Sequence, residues 1–114
     1  SRIVDARSTP EFTGERVLSK KGGRVPDACS LEWTRLVDAD GRFLPVEELR
    51  KLVARVGVEE GEAVVAHCQG GGRASVNAFV LERLGFPTRN YYLGWSDWGN
   101  AEGVPIETGA TKPE

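Results

Sequence analysis

The twelve residues VVAHCQGGGRAS, positions 64–75, decide how this chain is read. An apolar run, Ala63-Val64-Val65-Ala66, leads into His67 and Cys68, then into three consecutive glycines and Arg73, and a helical pattern starts directly afterwards. A run that is apolar on both parities is a strand buried on both faces, as in a parallel sheet. Strand, glycine-rich turn and helix start together make an anion cradle. The first N–H groups of a helix have no intrahelical partner, and the dipole adds partial positive charge there. A cysteine at the lip of such a cradle is held more readily as the thiolate, the form that attacks. Arg73 is a permanent cation in the same loop, and the glycines let the backbone curl around whatever the sulfur holds. Cys68 is therefore the candidate catalytic nucleophile, with Gln69, Gly70, Gly71, Gly72 and Arg73 as its binding loop. The competing reading is an inert core thiol before a flexible turn, and it leaves the crowding of glycines and arginine around this one cysteine unexplained.

Working outward, Ala63–His67 is the central strand, and the helix that follows, over 74–84, places Val76, Phe79, Val80 and Leu84 on one stripe, with Gly85 as its stop. Arg89–Leu93 alternates as a further strand, and Gly94-Trp95-Ser96-Asp97-Trp98-Gly99 is an aromatic loop or a short helix. Upstream, Ile3-Val4 starts a strand that ends at Asp5-Ala6-Arg7, and Ser8-Thr9-Pro10-Glu11-Phe12 turns into a short helix, with Pro and Glu suited to its first turn. A polar loop, SKKGGRVPD at 19–27, precedes a second short strand, Ala28–Leu31, in which Cys29 reads as a small core filler. From Pro45 to Val56 the spacing of Val46, Leu49, Leu52, Val53 and Val56 predicts a helix ended by Gly57. Alternating strands and helices with short connections predict a three-layer α/β domain, its sheet mainly parallel and helices on both faces. The domain spans 1–107, and the polar residues 108–114 form a flexible tail.

Composition narrows the function classes. The 15 basic and 17 acidic side chains are well mixed and give a net charge of −2, with no basic patch for nucleic acid or a membrane surface. No apolar stretch approaches the ~20 residues of a membrane span. Two cysteines 39 positions apart do not make a disulfide framework, so a reducing compartment, the cytoplasm, fits better. One histidine and two cysteines in different contexts supply no metal site, and the chemistry outlined here calls for no cofactor.

Four motifs in order resemble the rhodanese (sulfurtransferase) domain: VDARSTPEF at the start, Gly23-Arg24-Val25-Pro26-Asp27-Ala28, HCQGGGRAS, and the closing YYLGWSDWGN. The likeness runs from Ile3 to about Glu107 and is strongest to the catalytic, C-terminal half of two-domain thiosulfate sulfurtransferases. Arg24 and Asp27 depart from the family's usual His and Gly. The chain also begins at a strand that in the family follows a helix and another strand. A domain entered at that point lacks its first elements and exposes a sheet edge, and a second rhodanese domain upstream is the partner this implies.

The resemblance implies that Cys68 takes the outer sulfur of a small donor such as thiosulfate, stores it as a persulfide and passes it to cyanide or a thiol. Backbone N–H groups from Gln69 to Arg73 would stabilise the anion, and Arg73 would bind the sulfonate end. Asp5 and Arg7, at the tip of a parallel strand, shape the cleft or form a buried ion pair. Trp95 and Trp98 wall the pocket or fill the core. His67 precedes the nucleophile on a strand, so its side chain faces the other way. The alternative class is a cysteine-dependent phosphatase or arsenate reductase of related architecture. Its signature places five residues between Cys and Arg, whereas four separate Cys68 from Arg73 here. A non-catalytic regulatory module is disfavoured because the nucleophile is present.

Overall fold

The structure, a computed structural model, describes residues 2–109. Four strands, β1 (Arg2–Asp5), β2 (Cys29–Ser30), β3 (Val64–His67) and β4 (Thr88–Tyr91), form one sheet in the order β2-β1-β3-β4. Every pairing is parallel, with Val4 opposite both Cys29 and Ala66, and Asp5 opposite both Ser30 and His67. The helices are α1 (Thr9–Thr13), α2 (Val46–Arg55), α3 (Gly72–Arg83) and α4 (Gly94–Trp98), and Trp33–Leu36 adds a turn of 3-10 helix. The predicted α/β class with its parallel sheet is the fold observed.

The main core lies on one face of the sheet. Val4, Cys29, Leu31 and Val64 meet Leu49 and Val53 of α2 and Val80 and Leu81 of α3. Two predicted stripes need correction. Of the α3 stripe, Val80 and Leu84 are buried and Val76 partly so, but Phe79 is half exposed and stacks on Phe43 at a ring distance of 5.6 Å, and α3 also buries Ala74, Asn77 and Leu81. The cause is the helix entry: Ala74 packs beneath the glycine loop and the Asn77 Nδ2 donates to the Leu31 carbonyl at 2.7 Å, which rotates Phe79 outward. Val46, at the first position of α2, is likewise exposed, so that only Leu49 and Val53 are fully buried.

The topology fixes where a site can be. From β1 the chain moves outward to β2 and then returns past β1 to β3. The connections leaving the carboxyl ends of β1 and β3 therefore diverge, and α/β sheets bind ligands at such a switch point. Of the expected tail, residues 110–114 lie outside the described residues; the Gly109 N–H donates to the Thr13 carbonyl at 2.9 Å.

Candidate active site

Cys68 stands one residue beyond β3, at the switch point. Its neighbours there are small: Ala6, Ala66 and Ala74 pack around it, so the loop sits close to the sheet. The residue is 1% exposed. The Gly71 N–H donates to its Sγ at 3.0 Å. Gly71 is also the N-cap of α3, at φ +97°, so the turn that aims this N–H at sulfur needs the left-handed conformation that glycine adopts freely. The first-turn N–H groups of α3 that follow lack intrahelical partners. A Cβ added at Gly70 or Gly72 would meet nothing within 4 Å, whereas one on Gly71 would meet Tyr92 at 3.0–3.3 Å.

The loop is clamped from the far end of the chain. The Trp95 N–H donates to the Cys68 carbonyl at 2.8 Å and the Ser96 N–H to the Gln69 carbonyl at 3.0 Å, so the start of α4 holds the loop by its backbone. The approach is close enough that a Cβ on Gly94 would stand 2.1 Å from the Cys68 carbonyl oxygen. Gln69 reaches sideways, its Nε2 donating to the Ser19 Oγ at 2.9 Å, and Ser19 in turn donates to the Trp95 carbonyl.

Beneath the loop lies a buried charged cluster. Arg7 is 1% exposed; its Nε and Nη2 fork onto Asp5 at 2.7–3.1 Å and Nη2 also donates to the Gly23 carbonyl at 2.6 Å. Its guanidinium lies 4.6 Å over the Trp95 ring, whose Nε1 donates to the Lys21 carbonyl at 2.8 Å. Asp5, Arg7 and Trp95 thus support the loop from below. Trp98 stands apart, half-buried, with its indole N–H turned to the Pro105 carbonyl at 3.0 Å. His67 joins this cluster, with 3.6 Å between its Nε2 and the Asp5 Oδ2.

Arg73 brings in a residue that the sequence reading took only for a helix-start acid. Its Nη1 and Nη2 donate to both oxygens of Glu11 at 2.7 and 2.9 Å. Glu11 is buried in α1 and also accepts from the Ser8 hydroxyl and N–H, closing a capping box. Burial by itself would raise the Glu11 carboxyl; the Arg73 and Ser8 hydrogen bonds outweigh it and hold the group down at about 2. The same carboxylate pushes the Arg73 guanidinium up. The available signal was the spacing between Ser8 and Glu11, which marks a capping box but says nothing about a partner sixty-two residues away.

Fold and site define an α/β domain built around a buried cysteine held on a glycine-rich loop, its sulfur accepting from a backbone N–H at a helix start. The chain belongs to the rhodanese-like domain family, whose sequence profile matches residues 1–101. It is 34% identical over 106 residues to the thiosulfate sulfurtransferase of Azotobacter vinelandii, the match covering 92% of this chain and 39% of that protein. To the sulfur carrier protein TtuD of Thermus thermophilus it is 36% identical over 117 residues, covering 94% of this chain and 41% of the relative. The chain thus spans about two fifths of the length of these relatives. Among solved structures, EanB bearing a cysteine persulfide, in a tetrahedral intermediate state with ergothioneine, superposes with a TM-score of 0.87 at 29% identity, covering 97% of this chain and 29% of that one. Among the described residues no helix is long and apolar enough to cross a membrane.

Proposed function

We propose that this domain is a thiosulfate sulfurtransferase that works through a persulfide on Cys68. One observation carries the reading: the Cys68 sulfur rests on the Gly71 N–H at the head of α3, at the switch point. Relatives named thiosulfate sulfurtransferase and a structural neighbour bearing a cysteine persulfide support it.

The Cys68 thiolate attacks the outer sulfur of thiosulfate. A sulfur–sulfur bond to Cys68 forms, the sulfur–sulfur bond of the donor breaks, and sulfite leaves with the electron pair. The persulfide is an anion; the Gly71 N–H already faces the sulfur and the N-terminal dipole of α3 adds partial positive charge, so little reorganisation is needed as charge arrives. Cyanide or a thiolate then takes the outer sulfur and returns Cys68 to the thiolate. A guanidinium has five N–H donors, of which Glu11 takes two from Arg73; the others are available to the sulfonate. The reaction suits the reducing cytoplasm, where a free thiol persists. A second rhodanese domain upstream would complete the length of the relatives.

The test is thiocyanate formation from thiosulfate and cyanide, run beside hydrolysis of an aryl phosphate. Sulfur transfer with negligible hydrolysis is expected; phosphatase activity without sulfur loading would refute the proposal.

A further inference from the structure

The loop that holds Cys68 offers almost no side chains for selecting an acceptor. Gly70 and Gly72 have none, Gln69 is turned to Ser19, and Arg73 is turned to Glu11. Selectivity must come from the rim. The largest apolar side chains left exposed in the molecule include Val17 (49%), Leu18 (50%), Tyr92 (68%) and Leu93 (62%). These four belong to two segments, and both segments are attached to the loop. Tyr92 lies directly against it: a Cβ on Gly71 would stand 3.3 Å from the Tyr92 ring. Leu93 is the N-cap of α4, whose N-terminal turn donates to the Cys68 and Gln69 carbonyls. Leu18 precedes Ser19, the hydroxyl that Gln69 binds. The same segment exposes two cations, Arg16 and Lys20, beside one acid, Glu15, and none of the three has an ion-pair partner among the described residues, which leaves the segment net positive.

We propose that this rim docks a protein acceptor: an exposed chain segment that presents its thiol between apolar and acidic side chains. The inference rests on the persulfide reading above and names the acceptor class for it. Apolar groups left in water beside a nucleophile gain by being covered, and the unpaired cations favour an acidic partner over a basic one. A cationic and apolar rim would also suit an anionic membrane surface, but a lipid surface brings no thiol to a sulfur that is 1% exposed at the loop floor. In the transfer, the acceptor thiolate attacks the outer sulfur of the Cys68 persulfide. One sulfur–sulfur bond forms to the acceptor, the bond to Cys68 breaks with its electron pair, and the acceptor leaves as a persulfide, so that no oxidant is required.

The test uses two peptides with the same central thiol, acetyl-Glu-Leu-Cys-Leu-Glu-amide and acetyl-Lys-Ser-Cys-Ser-Lys-amide, added to sulfur-loaded protein. The expected result is at least about tenfold faster unloading by the first, on the scale of a small apolar contact. That ratio should fall several-fold in a Leu18→Ser/Leu93→Ser variant, a comparison in which the intrinsic reactivity of the two thiols cancels. Equal rates, or a ratio that the variant leaves unchanged, would overturn the proposal. Binding of the same peptides with serine in place of cysteine, followed by tryptophan fluorescence, decides the docking separately from the chemistry. If thiosulfate loads no sulfur, the persulfide reading fails, yet about tenfold preferential binding of the acidic, apolar peptide still supports the rim. Equal peptide binding, together with association to vesicles of equal phosphatidylglycerol and phosphatidylcholine, would assign the surface to a membrane and overturn it.

Discussion

Two cysteines sit a few residues from each other's level in the same sheet, and only one has the surroundings of a nucleophile. Both are free and buried. Cys29 lies on the edge strand β2, opposite Val4, within the main apolar core. It is the more exposed of the two, 9% against 1%, and it lines a cavity of about 350 Å³ that no residue of the Cys68 loop lines. Exposure and cavity would both select Cys29. Its chemistry does not: burial pushes the Cys29 thiol up, and Arg2 only partly offsets this. Cys68 differs in standing past the end of its strand, where the backbone has stopped pairing within the sheet and its N–H groups are free to face sulfur. On the reading proposed above, the contrast teaches that unpaired backbone donors at a switch point select the working thiol, more than access does.

The largest effect expected from that contrast is on the thiols themselves. Cys68→Ala should reduce thiocyanate formation to the uncatalysed rate, whereas Cys29→Ala should retain most of it and lose about 1 kcal/mol of stability through a small core cavity. Turnover in Cys68→Ala comparable to wild type would break the comparison.

Next come the glycines beside each sulfur. Gly94→Ala would drive a Cβ into the Cys68 carbonyl, 2.1 Å away, at a residue with φ +50°. A backbone shift of about 1 Å in the loop can cost on the order of a hundredfold in kcat/KM, and strain and overpacking should remove about 2–3 kcal/mol in denaturant unfolding. Gly57 is the counterpart at the other thiol, with only the Cys29 Sγ at 3.5 Å, an ordinary contact. Gly57→Ala should therefore cost about 1–2 kcal/mol of left-handed backbone strain and leave sulfur transfer near the wild-type rate. Equal losses of activity in the two variants would show that the clamp by α4 does not matter.

A smaller effect is expected at the cation. Arg73→Ala should raise KM for thiosulfate about tenfold with a lesser change in kcat, the pattern of lost donor binding. An unchanged KM would restrict Arg73 to bracing α3 against Glu11.

The smallest effect is a pH dependence of stability. Glu11 is held at about 2 in the folded protein, below the roughly 4.3 of an unfolded chain, so its stabilising contribution is complete above that upper value and is lost as the pH falls toward 2. Glu11→Gln should be less stable than wild type at neutral pH, and the gap should close progressively between about pH 5 and pH 2.5. A gap that stays constant over that range would mean that the ion pair with Arg73 contributes nothing.

What was legible in the sequence was local. The β3–loop–α3 unit shows in the apolar run, the glycines and the cysteine because strand, turn and helix start are written in consecutive residues, and β1 shows for the same reason. The Glu11–Arg73 fork was illegible because its halves are far apart, and a first-turn glutamate has an ordinary explanation in the helix dipole. The clamp from α4 leaves no residue signature, since its donors are the backbone N–H groups of Trp95 and Ser96; only Gly94 marks it, and a glycine before an aromatic pair reads as a loop. The stripe assigned to α3 was turned toward Phe79 because large apolar residues dominate a periodicity count, while the contacts that orient the helix are made by Ala74 and Asn77. Trp98 resembled Trp95 in sequence and parted from it only in three dimensions, where one indole meets Arg7 and Lys21 and the other meets Pro105.

The central claim, that Cys68 alone carries the transferred sulfur, is tested most directly by intact mass spectrometry after incubation with thiosulfate. Wild-type protein and Cys29→Ala should each gain the mass of one sulfur atom and lose it on addition of cyanide, while Cys68→Ala should gain nothing. A sulfur adduct that persists in Cys68→Ala, or that disappears in Cys29→Ala, would contradict the account.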